Sequence, residues 1–421
     1  MESGGASRPI PDALMRRPLA SRMLGLILVS LFGEIAYALV TTFALPLYLS
    51  NTLMWREEII GPVISAFLLA ETVAKPVWGN LSDRIGRKPL IVIGVLISAI
   101  AVLAMAFTDS YWGFLALSAV NGVGGAALWP NVFASVADLT DDEERVGAMS
   151  AFNMMYMIGL GLSPQVGSLI FRLAGDRPSL VFPATTALFG IAMLAAAFMV
   201  PWVRGAAHHE DWPRGPQHGV VGPVLLFFMV MSFFQTLGLQ IMNGSIVLYV
   251  NQEIGLSPEN IGWPFAVLAL IVAAAAIPIG TWGGRWGRVK SVKLGLLVAA
   301  TGMVLLPLNS GLAWWLIVAT PMILGFLLSI PAWLAIITDL APVTWRGRIF
   351  GYVATAQGLG AVLGPTVGLY LFGRVSHAAP FYASGAILAM TLVGAMFGLR
   401  EGMRAVKVNG DGGADDNVAP A

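Results

Sequence analysis

The feature that most constrains this chain is the recurrence of apolar runs long enough to cross a bilayer. A hydrocarbon core of about 30 Å takes about 20 predominantly apolar residues as helix, and twelve such runs follow one another between Met23 and Leu399. They fall near 23–49, 59–80, 89–107, 112–138, 146–171, 180–202, 222–250, 260–282, 291–308, 312–338, 348–372 and 379–399. Backbone groups in lipid must find their partners within the segment, so each run is expected to be a helix. Composition agrees, because only 11% of the 421 residues are charged, against roughly a quarter in soluble domains. The first run is too long for a signal-peptide core and lacks a small-residue cleavage site behind it, so it reads as a retained helix.

Orientation follows from Lys and Arg, which collect in loops on the cytoplasmic side. With both termini inside, the inner segments hold Arg22, Arg84, Arg87, Lys88, Arg145, Arg285, Arg288, Lys290 and Arg346 among others, and the outer loops only Arg56, Arg172, Arg177 and Arg374. The expectation is a multi-pass protein of the plasma (inner) membrane with both ends cytoplasmic. A net charge of +1 offers no basic patch for nucleic acid, and zero Cys excludes thiolate metal sites and Cys nucleophiles. Without a Walker loop, a metal-spaced His or carboxylate set, or a soluble domain able to hold a nucleotide, the chain reads as no enzyme and as needing no cofactor.

The polar break 204–219 divides the chain almost in half, and the halves repeat. GNLSDRIGR at 79 is answered by GTWGGRWGR at 280, an offset of 201 that also pairs Gly61 with Gly262, Gly124 with Gly325, Asp138 with Asp339, Arg145 with Arg346, and Pro164 with Pro365. A gapless offset over most of a half implies a duplicated six-helix unit, an arrangement in which transporters place substrate between the halves near mid-membrane. The expected organisation is a cytoplasmic tail 1–22, a six-helix bundle 23–202, a cytoplasmic linker 203–221, a second bundle 222–399 and a disordered cytoplasmic tail 400–421. One chain supplies both halves, so a monomer is expected to function.

The charged loop GNLSDRIGRKP, 79–89, interrupts this apolar background. Gly79 and Gly86 suit a helix end and sharp turn, and Pro89 suits the first turn of the next helix. Arg84, Arg87 and Lys88 obey the positive-inside bias, whereas Asp83 works against it. The stretch resembles the signature loop between helices two and three of the major facilitator superfamily, and the repeat and span count extend that resemblance over the whole membrane part. It implies two pseudo-symmetric bundles of the major facilitator fold working by alternating access. It also implies that Asp83 joins a conformational latch with Asp138 and Arg145. The second copy carries Gly284 where Asp83 would be, which places any such latch mainly in the first half.

GLGLSPQVGS, 159–168, resembles the fifth-helix motif G-x-x-x-G-P-x-x-G-G of proton-coupled exporters in that superfamily, with Ser163 and Ser168 replacing two glycines. Gly159, Ser163, Pro164 and Gly167 also make a close-packing stripe, and GAVLGPTVG supplies Gly360, Gly364, Pro365 and Gly368 in the second half. Tight packing alone therefore accounts for the motif as well. The basic residue often seen in helix four of these exporters would fall on Ser118, so their usual proton-coupling Arg is missing.

Three ionisable residues lie deep in the spans, each costing roughly 2.5–3.5 kcal/mol or more if unpaired. Glu71 and Lys75 are spaced to pair on one helix face, which the resemblance turns toward Gln357 and Gly358 of helix eleven. Glu34 has no basic neighbour in its helix, and apolar surroundings favour its neutral form. It is the best candidate proton carrier, with Glu71 and Lys75 as further coupling candidates and a buried hydrogen-bonded Glu as the rival reading. Its repeat mate is Gln235. The candidate substrate lining is Tyr37, Asn121, Trp129, Asn153, Tyr156, Gln235, Gln240, Asn243, Trp333 and Gln357, a few polar groups among aromatic and apolar ones that suit an amphiphilic ligand better than a sugar. The expected function is proton-coupled export of lipophilic or amphiphilic, drug-like compounds, with protons, a small-molecule substrate and the lipid bilayer as partners. The alternatives are an uptake symporter or facilitator for a small metabolite, a lipid flippase, or a membrane scaffold that transports nothing.

Overall fold

The computed structural model describes residues 19–202, 222–340 and 346–399. They form twelve long helical rods. α1 begins as Leu19–Ala38 and continues through π-helical turns Leu39–Ala44 and Tyr48–Thr52 on either side of Leu45–Leu47. It is followed by α2 (Glu57–Ile85), α3 (Arg87–Met105), α4 (Tyr111–Asp138), α5 (Asp142–Ala174) and α6 (Val181–Met199). In the second half α7 (Gly222–Gln240) resumes after a break as Ser245–Gln252. Then come α8 (Gly262–Trp286), α9 (Arg288–Leu305), α10 (Leu312–Leu340), α11 (Arg346–Arg374) and α12 (Ala379–Gly398). Ten of the rods are long and apolar enough to cross a membrane, and α8 contains a shorter apolar stretch, Gly262–Ala275.

Helix pairing repeats the sequence duplication. In the first half α1 packs on α5 and α6, α2 on α4, and α3 on α4 and α6; six helices later α7 packs on α11 and α12, α8 on α10, and α9 on α10 and α12. Where α3 crosses α4, a Cβ on Gly94 would lie 2.7 Å from the Gly124 carbonyl oxygen, and its counterpart on Gly295 would lie 2.5 Å from that of Gly325. These glycines set the crossing by letting backbones touch. The halves meet along two seams, α2 against α11 and α5 against α8.

Several boundaries differ from the sequence reading. α2 runs on to Ile85, so Gly79 sits inside the helix with nothing within 4 Å of a Cβ placed there. Gly86 alone makes the turn, at φ 90°, and Gly287 repeats it at φ 103°. Both values lie where a Cβ would clash, which is why the loop between paired helices carries glycine twice. α7 is not continuous: Gly244 at φ 82° breaks it where a Cβ would meet Ile64 of α2 at 2.9 Å. The π-helical turns of α1 flank Pro46, whose missing amide interrupts the regular ladder. The tails, the linker 203–221 and residues 341–345 lie outside the described residues.

Candidate functional site

Glu34 of α1 is 5% exposed and faces α5. Its carboxyl lies beside the Tyr156 hydroxyl, and Glu71 of α2 stands near enough for its charge to act on it. The approach of α1 to α5 depends on Gly159, where a Cβ would come within 2.9 Å of the Glu34 Cβ. Around this pair runs an aromatic chain. Tyr156 meets Trp129 edge-on at 5.2 Å between ring centroids, Trp129 lies 6.2 Å from Tyr37, and Tyr37 contacts Phe67 at 5.8 Å and Phe189 at 4.8 Å. The Tyr37 hydroxyl lies 2.6 Å from Ser98 Oγ, which donates to the Asn121 carbonyl at 3.2 Å. Four helices thus bring Glu34, Tyr37, Glu71, Trp129 and Tyr156 together. Lys75 pairs with Glu71 at 2.8 Å, one turn along α2. Thr72, next to Glu71 in sequence, abuts α11, where a Cβ on Gly358 would lie 2.8 Å from its Cγ2, and the Glu71 backbone lies against Gly122 of α4.

The remaining candidates are placed differently. Gln235, the repeat mate of Glu34, is also 5% exposed, and its amide nitrogen has no hydrogen-bond partner among the described residues. Gln357, half-buried, stands where the offset of 201 carries Tyr156. Trp333 is core rather than lining in this conformation, donating to Ser232 Oγ at 2.9 Å and packing on Phe228. Asn121 is likewise buried at 1%. Gln240 packs under Gly364, and Asn243 lies at the α7 break. Asn153 is exposed on α5 toward the end of the molecule where the described chain begins.

The latch residues form part of a set of clamps within the first half. Arg87 pairs with Asp138 and also donates to Ser82 Oγ at 3.1 Å, tying the start of α3 to the ends of α4 and α2. Both Arg87 and Asp138 belong to the latch set expected from the sequence, Gly79, Asp83, Arg84, Gly86, Arg87, Asp138 and Arg145. The side chains of Asp83 and Arg145 lie outside the described residues, and Arg84 is exposed. Arg22, which composition alone did not single out, is buried and grips Glu144 through both carboxylate oxygens at 2.7 and 2.8 Å.

The glycine–proline stripes pack α5 on α1 and α11 on α7 within each half, and their proline carbonyls face the other half across the seams. A Cβ on Gly61 of α2 would lie 2.7 Å from the Pro365 carbonyl oxygen of α11, and one on Gly262 of α8 would lie 2.8 Å from that of Pro164 of α5. Ser163 caps back to the Leu160 carbonyl at 2.8 Å, Gly167 lies against the Phe43 ring, Gly360 against Phe233 and Gly368 against Ile241. Ser168, substituting for a glycine, accepts from the Gly262 amide at 2.7 Å and donates to the Pro258 carbonyl at 2.6 Å. Beyond these seams a polar clasp that the sequence did not announce joins the halves at the end far from the termini. Asn51 donates to Asn251 at 2.9 Å, Gln252 to Ser50 and to Glu57 at 3.2 Å each, and Arg374 pairs with Glu58 at 3.1 Å. Toward the other end a Cβ on Gly79 of α2 or Gly351 of α11 would meet nothing within 4 Å. The two halves are therefore closed on one another at the far end.

The Major Facilitator Superfamily model matches this chain twice, over residues 23–235 and 228–415. Multidrug resistance protein MdtG of Proteus mirabilis is 26% identical over 380 residues, covering 85% of this chain and 90% of that protein. Multidrug resistance protein 2 of Bacillus subtilis is 25% identical, with 79% and 84% covered. Among solved structures, the nucleoside transporter NupG superposes with a TM-score of 0.74 at 14% identity, covering 90% of this chain and 99% of that one. A bacterial homolog of the human lysosomal transporter Spinster, in an inward-facing and unoccupied conformation, gives 0.69 at 16% identity, with 91% and 96% covered.

Proposed function

The chain belongs to the major facilitator superfamily, and we propose that it exports lipophilic or amphiphilic, drug-like compounds by alternating access in exchange for protons. The observation that carries this reading is Glu34, the one fully buried carboxyl among the described residues, set beside Tyr156 and an aromatic chain and matched in the other half by neutral Gln235. The names of its curated relatives, both multidrug resistance proteins, support the substrate class.

The chemistry is an exchange of one positive charge for another. Empty, Glu34 holds a proton, since an unpaired carboxylate at mid-membrane costs roughly 2.5–3.5 kcal/mol or more. A cationic amphiphile that stacks on Trp129 and Tyr156 supplies a charge that stabilises the carboxylate, so the proton leaves as the drug arrives. Glu71 and Lys75 tune the local field and are the further coupling residues. With both termini cytoplasmic in the plasma membrane, the clasped far end is the outer side, and the site is loaded from the end bearing the termini. The outward-open state requires the far-end clasp and the outer parts of both seams to part. Arg87–Asp138 and Arg22–Glu144 then keep the first half a single moving body, with Asp83 and Arg145 engaging as the cytoplasmic side closes. One chain contains both halves and functions as a monomer.

The test is gradient-driven transport of a lipophilic cationic dye into inverted vesicles carrying the full chain. Wild type should accumulate dye when the lumen is acidified, and Glu34→Gln should lose the dependence on the gradient. No dye accumulation by wild type under any gradient would exclude this class of substrate.

A further inference from the structure

The two seams carry the same charges at the far end and use them differently. The offset of 201 makes Glu58 the repeat mate of Glu259 and Gly373 that of Arg172, with Arg374 one position beyond. On the α2–α11 seam the charges meet: Arg374 reaches Glu58 at 3.1 Å, and the Glu58 carboxylate lies 2.9 Å from where a Cβ on Gly373 would be. On the α5–α8 seam they do not. Arg172 donates to the backbone carbonyl of Glu259 at 3.1 Å, and the two residues border an open cleft of about 130 Å³. Gln165, Val166, Ser168, Leu169 and Trp263 complete its walls.

This cleft has the chemistry of a zwitterion with a hydrocarbon tail. Arg172 lies in the last turn of α5 and Trp263 in the first turn of α8, the depth at which a bilayer passes from hydrocarbon to headgroup. Leu162 (38% exposed), Leu169 (50%) and Leu173 (78%) continue along α5 as an outward apolar stripe leading into it. We propose that the cleft binds a phosphatidylethanolamine molecule of the outer leaflet. Its phosphate accepts from the Arg172 guanidinium, its ammonium donates to the Glu259 carboxylate, and one acyl chain runs back into the membrane along Leu169 and Leu162. A planar guanidinium suits a phosphate, and a carboxylate suits an ammonium that still has hydrogens to donate. The choline headgroup lacks those hydrogens, and phosphatidylglycerol has no cation for Glu259. A lipid held there bridges α5 and α8 and fills the space that Arg374 and Glu58 close for themselves on the other seam.

The full chain would be placed in phosphatidylcholine nanodiscs doped with a phosphatidylethanolamine bearing a photoreactive group on its acyl chain, and the labelled peptides mapped by mass spectrometry. Labelling at 162–173 and 259–263 should exceed that at the exposed α3 face around Ile100 and Leu103 by about fivefold, the effect of roughly 1 kcal/mol per basic contact near a membrane surface. Arg172→Ala and Glu259→Gln should each bring it down to the α3 level, and the matched photoreactive phosphatidylcholine should start there. Equal labelling on both faces in wild type, or enrichment that survives both substitutions, would overturn the site. Phosphatidylglycerol labelling the cleft as strongly as phosphatidylethanolamine would overturn its selectivity for a zwitterion. None of these readouts involves dye export.

Discussion

The two halves share a frame but not a chemistry. Every principal helix pair in the first half has its counterpart in the second, down to the glycine crossings at Gly94–Gly124 and Gly295–Gly325. At the centre they part: where the first half buries Glu34 under Tyr156, the second carries Gln235 and Gln357 at the matching positions. Gln235 occupies the space of a glutamate without its ability to change charge. Duplication built a symmetric frame, and differences at Glu34, Glu71, Lys75 and Tyr156, whose mates are Gln235, Val272, Ala276 and Gln357, left the ionisable groups on one side of it.

The comparison breaks most severely if the lone carboxyl is removed. Glu34→Gln gives the first half the side chain that the second carries at this position, and gradient-driven dye export should fall by about 100-fold, the upper range of coupling between two ligands. Dye exchange without a gradient should persist, because the hinge is intact. The double variant Glu34→Gln, Gln235→Glu should not restore coupling, since Gln357 stands where the new carboxyl would need a tyrosine hydroxyl.

The hinge itself is expected to respond alike on both seams. Gly61→Val and Gly262→Val would each drive a side chain into a carbonyl across the seam, and overpacking of this kind costs roughly 1–3 kcal/mol. Each should open the far end and raise the labelling of a cysteine placed at Ser65 by about tenfold. The absence of native cysteine makes this readout clean. A response on one seam alone would mean the halves do not share one hinge.

Smaller effects refine the picture. Tyr156→Phe removes the hydroxyl beside Glu34, a hydrogen-bonding partner worth about 1 kcal/mol net, and should lower gradient-driven export about fivefold while leaving dye affinity at zero gradient nearly unchanged. Arg374→Ala removes the cross-seam ion pair with Glu58, in which the Arg side chain is 49% exposed. Such pairs contribute about 0–1 kcal/mol and are screened by salt. The Ser65 cysteine should then label about twofold faster at low ionic strength and no faster than the parent at 1 M salt.

The sequence made the frame readable because duplication left a gapless offset, and a period of that kind survives substitution at most positions. The same offset already carried the central asymmetry, since it takes Glu34 to Gln235 and Tyr156 to Gln357. It could not show that Tyr156 meets Glu34, because that contact joins α1 to α5 across 122 residues. The clasp was hidden for a related reason. Ser50, Asn51, Asn251 and Gln252 are ordinary helix-end polar residues until the halves close and set them opposite one another. Trp333 misled as a lining residue because composition cannot tell an indole that donates to Ser232 inside the core from one that faces a cavity. Gly79 misled because a helix reaches Ile85 through residues whose charge reads as loop.

The most direct test of a single proton-exchanging carboxyl is proton release on binding. Purified full-length protein in weakly buffered detergent would be titrated with a lipophilic dye cation while the pH is followed. About one proton should appear per dye bound by wild type, and none with Glu34→Gln at saturating dye. Release that persists in Glu34→Gln, or wild type that binds the cation and releases no proton, would contradict the assignment of the exchange to Glu34.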